Sequence, residues 1–140
     1  MIVMTNFEKV KTFMESFGQE VKHKPAVPDI DIVELRLNLI NEEFIELVNA
    51  AQESREEDEN VSQKDKLIDV ADALADLLYV VYGAGHAFGL DLDKCFTEVH
   101  ESNMSKFDKG EPIYRKDGKV LKSDTYTPPN LGEILFPKGE

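Results

Sequence analysis

The chain has 140 residues, 41% of them apolar and 31% charged, and a formal charge of −12 at pH 7. That length suits one domain around a single core, and the acidic balance argues against a nucleic-acid partner, which calls for a basic footprint. The single cysteine, Cys95, cannot form an internal disulfide, and "MIVMTNFEKVKTF" lacks the features of a signal peptide, so the expected setting is reducing and cytoplasmic.

A first helix is expected over about Asn6 to Phe17. Thr5 is its cap and Glu8 stands in the capping-box position. Phe7, Val10, Phe13, Met14 and Phe17 make its apolar face, and Gly18 stops it. Residues 19–31, with Pro25 and Pro28, predict an extended loop. "PDID" then offers caps for a second helix over about Ile32 to Gln52, whose apolar face is Leu37, Ile40, Phe44, Leu47, Val48 and Ala51. "ESREEDENVSQKD" (53–65) is an acidic connection. The third helix runs from about Lys66 to Phe88, and Asp91 caps a fourth over about Leu92 to Lys106. Asp117-Gly118 predicts a hairpin within 113–121, followed by an extended tail through "TPPNL". The run 77–90 is too short to span a bilayer, so no membrane partner is expected. The fold class is therefore all-α: an antiparallel bundle of about four main helices in one domain, 1–140. Its helical core covers about 5–107, and a hairpin and tail about 108–140.

Charge is uneven along the chain. Residues 1–105 carry a net −13, whereas 106–122 carry +3 through Lys106, Lys109, Arg115, Lys116, Lys119 and Lys122. An acidic body with a basic patch suits a site that takes cations and anions together; a lysine-decorated hairpin accounts for the patch equally well.

From Leu67 to Leu90 the only carboxyls are Asp69, Asp72 and Asp76. At about 3.6 residues per turn they fall within roughly 60° of one another, as one stripe. The neighbouring positions are apolar, so this is not an ordinary solvated face, and a helix apolar nearly all round is buried on most sides. Buried carboxylates need cations, and hard divalent ions such as Mg²⁺ prefer carboxylate oxygens. The second helix supplies a matching set in "NEEFIEL": Glu42, Glu43 and Glu46 lie off its apolar face, and Arg36 lies two turns before Glu43 on nearly the same side. Two antiparallel helices bringing these stripes together would build a metal site inside a bundle. The one Glu-x-x-His spacing, Glu20 to His23, falls in the predicted loop and not on two helices, and no thiolate set or Walker loop is present, which sets aside di-iron, zinc-thiolate and P-loop chemistries. On the fourth helix the face of Leu92, Cys95, Phe96 and Val99 continues into Asn103 and Lys106, polar groups suited to an anion. Leu67–Phe88 is apolar on more than one side, which predicts a homo-oligomer, dimer or tetramer.

"EEFIE" (42–46), "DALADLLYVVYGAGHAFGLD" (72–91) and "EVHESNMSKF" (98–107) together resemble the MazG and phosphoribosyl-ATP pyrophosphohydrolase relatives, the all-α nucleoside triphosphate pyrophosphohydrolases. The pattern there is EExxE, then ExxD opening an apolar helix, then Asn and a base near the next helix end. This chain departs from it at Ala73, where the Glu of ExxD would stand if Asp76 is its Asp. Either Asp72 substitutes, or Asp69 and Asp72 form a DxxD pair; the register of "ALADLLY" favours Asp72 with Asp76.

The resemblance implies cleavage between the α and β phosphates of a nucleoside triphosphate. It implies Mg²⁺, with Mn²⁺ as a substitute, on Glu43, Glu46, Asp72, Asp76 and the second candidate Asp69. Glu42 or Glu46 would orient or deprotonate the water. Lys106, Lys119 and Lys122 would steady the leaving pyrophosphate, Arg36 and Asn103 would bind substrate, and Tyr126 or Phe17 would stack on the base. The first loop and the tail look unlike the histidine-biosynthesis branch, so a general nucleotide hydrolase is expected ahead of a phosphoribosyl-ATP enzyme. A non-catalytic Mg²⁺–nucleotide binding module is the alternative from another class.

Overall fold

The computed structural model describes residues 3–107, 114–122 and 124–138, and the fold over them is all-α. Helix α1 spans Asn6–Ser16, α2 Ile30–Glu53, α3 Gln63–Phe88, α4 Leu92–Met104 and α5 Leu131–Leu135. Thr5 Oγ1 accepts from the Glu8 N–H while the Glu8 carboxylate accepts from the Thr5 N–H, the reciprocal box expected at the start of α1. Helix α3 starts earlier than expected because Ser62 Oγ accepts from the Asp65 N–H and sets the boundary there. Helix α5 was not expected. Asn130 Oδ1 accepts from the Glu133 N–H, and this cap turns part of the predicted extended tail into a short helix.

The chain forms two compact units, Met1–Leu90 and Asp91–Glu140. In this division α4 groups with the C-terminal segment.

In the first unit α2 and α3 pack along one another as a helical hairpin, and α1 packs on α3. Phe7, Val10 and Met14 are the buried face of α1. The Phe7 ring stacks on His86 at 3.7 Å and meets Tyr82 edge-on, and His86 Nε2 lies 2.7 Å from the Phe7 carbonyl oxygen. The loop after α1 runs beside the end of α3. There the Lys22 N–H donates to the His86 carbonyl and the Ala26 N–H to that of Phe88. Gly89 closes α3 in the left-handed region, φ 69°; a Cβ there would fall 2.1 Å from the Lys24 carbonyl oxygen.

Helix α2 is rotated from the expectation. Its covered stripe is Arg36, Leu39, Ile40, Glu43, Leu47 and Ala50, whereas Leu37 and Phe44 of the expected apolar face are 61% and 53% exposed. The reason is that α3 is the main neighbour of α2 within this unit, and it meets the side that carries Arg36 and Glu43. Phe13 and Phe17 are likewise exposed, packed on each other at 4.6 Å. On α3 the covered positions include Ala73, Gly83, Gly85, His86 and Ala87, while Leu67, Ile68, Leu74 and Leu78 face solvent. The expectation of a helix buried on most sides therefore does not hold within one chain.

In the second unit Asp91 caps α4 by accepting from the Lys94 N–H. Cys95 and Ser102 are its buried residues, while Phe96, expected inside, is 73% exposed. The segment 125–130 is tied along α4: Ser102 Oγ donates to the Thr127 carbonyl, Thr125 Oγ1 to those of Ser105 and Phe107, and the Asn130 N–H to Glu98. The expected hairpin is present as one antiparallel bridge, Tyr114 with Val120, around a turn in which Asp117 accepts from Arg115 and from the Lys119 N–H. Residue 113 and Lys109 lie outside the described residues. No helix among the described residues is long and apolar enough to cross a membrane.

Candidate metal centre

Glu43 and Glu46 sit one turn apart on α2, and the helical hairpin sets Asp76 of α3 against them. Each of the three offers a carboxylate oxygen, and these oxygens lie within 4.8 Å of one another. Glu43 and Asp76 are half-buried and Glu46 is exposed, so the cluster opens to solvent on one side. Glu43 Oε2 is shielded from solvent and has no hydrogen-bond partner. A carboxylate oxygen in that state is costly, and a cation is the partner that satisfies it without another donor.

The electrostatics agree with the geometry. Desolvation, first, raises the Glu43 carboxyl above its ordinary pKa of 4.5, followed by a hydrogen bond with Glu46 and the charges of Glu46, Asp76 and Glu42. Asp76 is raised above 3.8 by desolvation, then by Asp72 and Glu46. The described residues bring no cationic side chain into an ion pair with any of them. Three like-charged groups converging without a base fit a divalent cation by donor type, and oxygen-only ligation suits a hard one.

The remaining acidic candidates fall at different distances from this cluster. Glu42 and Asp72 act on it through charge, on Glu43 and Asp76 respectively, and both are exposed. Asp69 lines a separate cavity with Ala50, Glu53, Glu56, Asp58, Val61 and Lys66. There Lys66 Nζ donates to the Glu56 carbonyl.

Arg36 is 7% exposed. One of its terminal nitrogens donates to Gln19 Oε1 at 3.0 Å, and its Nε has no partner. Burial lowers its pKa. The guanidinium fits against α3 because position 83 is glycine: a Cβ there would fall 2.7 Å from Nη1.

In the second unit Asn103 is exposed, and the buried polar residue on that part of α4 is its neighbour Ser102. Lys106 and Lys122 place their ammonium groups 5.9 and 4.9 Å from the centre of the Tyr126 ring, within the range of cation–π attraction. The ring suggested for base stacking thus has cations as neighbours. Lys119 is exposed in the turn, beside Asp117.

Sequence reasoning missed Gln19 as the partner of Arg36, and a cavity between α1 and α3 lined by Asn6, Lys9, Ala75, Leu78, Tyr79 and Tyr82. The spacing Tyr79–Tyr82 was the signal available. It is hidden because aromatic residues at helical spacing more often mark core.

Two comparisons bear on the chain. A family model described as phosphoribosyl-ATP pyrophosphohydrolase matches residues 10–103, a span holding α2, α3 and the whole carboxylate cluster. An uncharacterized protein of Acanthamoeba polyphaga mimivirus is 34% identical over 124 residues, covering 85% of this chain. The chain spans 43% of the length of that viral relative.

Proposed function

We propose, from the premise that this chain belongs to the phosphoribosyl-ATP pyrophosphohydrolase family, that it is a Mg²⁺-dependent nucleoside triphosphate pyrophosphohydrolase. It cleaves between the α and β phosphates and releases a nucleoside monophosphate and pyrophosphate. The observation that carries this reading is the convergence of Glu43, Glu46 and Asp76 within 4.8 Å, with a buried Glu43 oxygen lacking a partner.

A triphosphate brings about four negative charges, which this cluster would repel on its own. Glu43, Glu46 and Asp76 would hold the divalent ion, with Asp72 beside them. When bound, Mg²⁺ or Mn²⁺ supplies Lewis acidity toward phosphoryl oxygens and lowers the pKa of coordinated water. Glu46, the exposed member, has the free side from which a carboxylate can orient or deprotonate a water, with Glu42 as its neighbour on α2. Lys106, Lys119 and Lys122 carry the positive charge that a leaving pyrophosphate requires. Asn103 offers an amide for phosphate or sugar. Arg36, two turns before Glu43 on α2, would bind substrate.

The exposed faces of α2 and α3 support assembly with a second copy. Leu37 and Phe44 of α2 and Leu74 and Leu78 of α3 are each about half exposed or more within one chain, apolar surface that a second copy would cover.

The same cleavage on phosphoribosyl-ATP is favoured by the description of the family model itself. A panel of nucleoside triphosphates and phosphoribosyl-ATP, with and without Mg²⁺, tests both. Pyrophosphate as the primary product, only with metal, is the expected result. Orthophosphate as the primary product overturns the proposed bond, and tight Mg²⁺–nucleotide binding without turnover leaves a binding module in place of the enzyme.

A further inference from the structure

Lys106 and Tyr126 are tied together through the residues on either side of them. Thr125 Oγ1 donates to the carbonyls of Ser105 and Phe107, the two neighbours of Lys106. On the other side of Tyr126, the Thr127 N–H donates to Ser105 Oγ at 2.8 Å, and the Thr127 carbonyl accepts from Ser102 Oγ at 2.7 Å. The backbone that carries Tyr126 is therefore fixed along the end of α4, and the tyrosine is half-buried there. Lys106, also half-buried, holds its ammonium 5.9 Å from the ring centre. Lys122 is exposed, four residues before Tyr126, and holds its own 4.9 Å from the same centre. Both are measured from one point, so the two nitrogens stand within about 11 Å of each other.

Two like charges gathered at one ring repel each other. A ring face attracts a cation through its quadrupole and leaves the net charge in place. Carboxylates do not cancel it either. The ion pairs among the described residues are Lys22 with Glu20 and Arg115 with Asp117. The carboxylate of the neighbouring turn is thus taken up by Arg115, and among the described residues neither Lys106 nor Lys122 donates a hydrogen bond. Six ammonium protons are left without acceptors. An anion charged at both ends, such as a diphosphate, can meet two separate ammonium groups at once, whereas a single carboxylate has one charged group to offer.

We infer that Lys106 and Lys122 form one receptor for the pyrophosphate leaving group, and that Tyr126 is its positioning residue, the ring that gathers the two ammonium groups. The inference rests on the hydrolase reading above, which supplies the pyrophosphate, and it singles out the two of three lysines that share a ring. A ring already engaged by two cations has less face to offer a base, so this part replaces the stacking expected of Tyr126 from sequence.

The test is calorimetric titration of the full chain with sodium pyrophosphate in metal-free buffer. Without metal the carboxylate cluster repels the probe, and cationic residues alone can hold it. The wild type should bind. Lys106→Met and Lys122→Met should each weaken binding at least about tenfold, as loss of a charge-assisted contact does. Lys116→Met, the same charge change in the exposed turn, should stay within about twofold. Tyr126→Leu should weaken binding at least about fivefold, while Tyr126→Phe, which keeps the ring, should stay within about twofold. Tyr126→Leu should also cost less in a Lys122→Met background than in the wild type. Thermal unfolding checks the fold of each variant. Should Tyr126→Leu not fold, the three lysine variants decide the receptor and Tyr126→Phe decides the ring. The proposal is overturned by a wild type that binds no pyrophosphate, or by a Lys116→Met loss as large as that of Lys106→Met, which would mean diffuse charge. It is equally overturned if Tyr126→Phe is as weak as Tyr126→Leu, or if Tyr126→Leu costs the same in both backgrounds, as a purely structural ring would. With Mg²⁺ and the triphosphate turned over best, inhibition by pyrophosphate should weaken in Tyr126→Leu by the same factor as binding; unchanged inhibition overturns the assignment to the leaving group. If the wild type releases pyrophosphate from no triphosphate, the hydrolase reading fails on its own, and the metal-free titration still decides whether Lys106, Lys122 and Tyr126 hold a diphosphate.

Discussion

Gly83 of α3 leaves the space that Arg36 of α2 fills: a methyl group at position 83 would sit 2.7 Å from Arg36 Nη1. Gly83→Ala should gain about 1 kcal/mol in helix propensity and lose about 1–3 kcal/mol through crowding of a buried guanidinium. The expected net effect is a loss of about 1 kcal/mol by denaturant titration. Arg36→Met removes the crowded group and a buried Nε that lacks a partner. In that background Gly83→Ala should become neutral or stabilising, a coupling of at least about 0.5 kcal/mol. Equal effects in both backgrounds would show that the contact does not fix the packing of α2 on α3.

The cluster also sets a pH dependence for the metal-free chain. Glu43 and Asp76 have raised carboxyl pKa values in the fold, so the native state holds those protons more tightly than the unfolded one. Their contribution to stability is full below the ordinary values of 4.5 and 3.8 and is lost as pH rises through the raised ones. Glu43→Gln removes one titration. The variant should gain on the wild type in melting temperature as pH climbs from about 4 to about 8. Mg²⁺ should narrow the gap by protecting the wild type more. A gap that is flat with pH would mean that Glu43 ionises in the fold as it does in the unfolded chain.

The three aspartates of α3 should separate by position. Asp76→Asn removes a cluster member and should lower turnover by at least about a hundredfold, the scale of a lost electrostatic group. Asp72→Asn removes a charge that acts on Asp76 and should cost less. Asp69→Asn alters the neighbouring cavity and should leave turnover within about threefold, as expected of a group outside the reacting centre. Initial rates of pyrophosphate release at saturating Mg²⁺ measure all three. A loss in Asp69→Asn as large as in Asp76→Asn would instead support a metal set along the whole stripe.

Uncovered apolar surface on α2 gives a fourth expectation. Light scattering at micromolar concentration should return a mass of two chains or more. Phe44→Glu, placed on a side chain that is 53% exposed within one chain, should lower that mass. In a monomer such a surface change would shift stability by less than about 0.5 kcal/mol. A monomeric wild type would mean that these side chains remain in water.

Local signals were the most legible part of the sequence. Thr5 with Glu8, Asp91 before α4, and Asp117-Gly118 in the turn each act within three residues, and each is present as expected. The stripes that bring Glu43, Glu46 and Asp76 together also follow from helical spacing. The rotation of α2 was not legible, because composition alone put Leu37 and Phe44 inward. The face that meets α3 carries Arg36, which fits the notch at Gly83, a contact between residues 47 positions apart. The short helix α5 was missed because Asn130, after two prolines, resembles the end of an extended run until its bond to Glu133 is known.

The contact between Phe7 and His86 closes a loop of 79 residues, whereas α2 and α3 are joined by only the segment 54–62. Loop closure grows costlier with length, and contacts distant in sequence tend to form slowly. The helical hairpin is thus expected to form early in the first unit, with α1 docking onto it late. In hydrogen exchange the amides of Val10 to Met14 should open at lower free energy than those in the middle of α3. Because α1 supplies Asn6 and Lys9 to the cavity, a molecule bound there would slow that opening. Exchange at the N-terminal helix is then a readout of that cavity's occupancy.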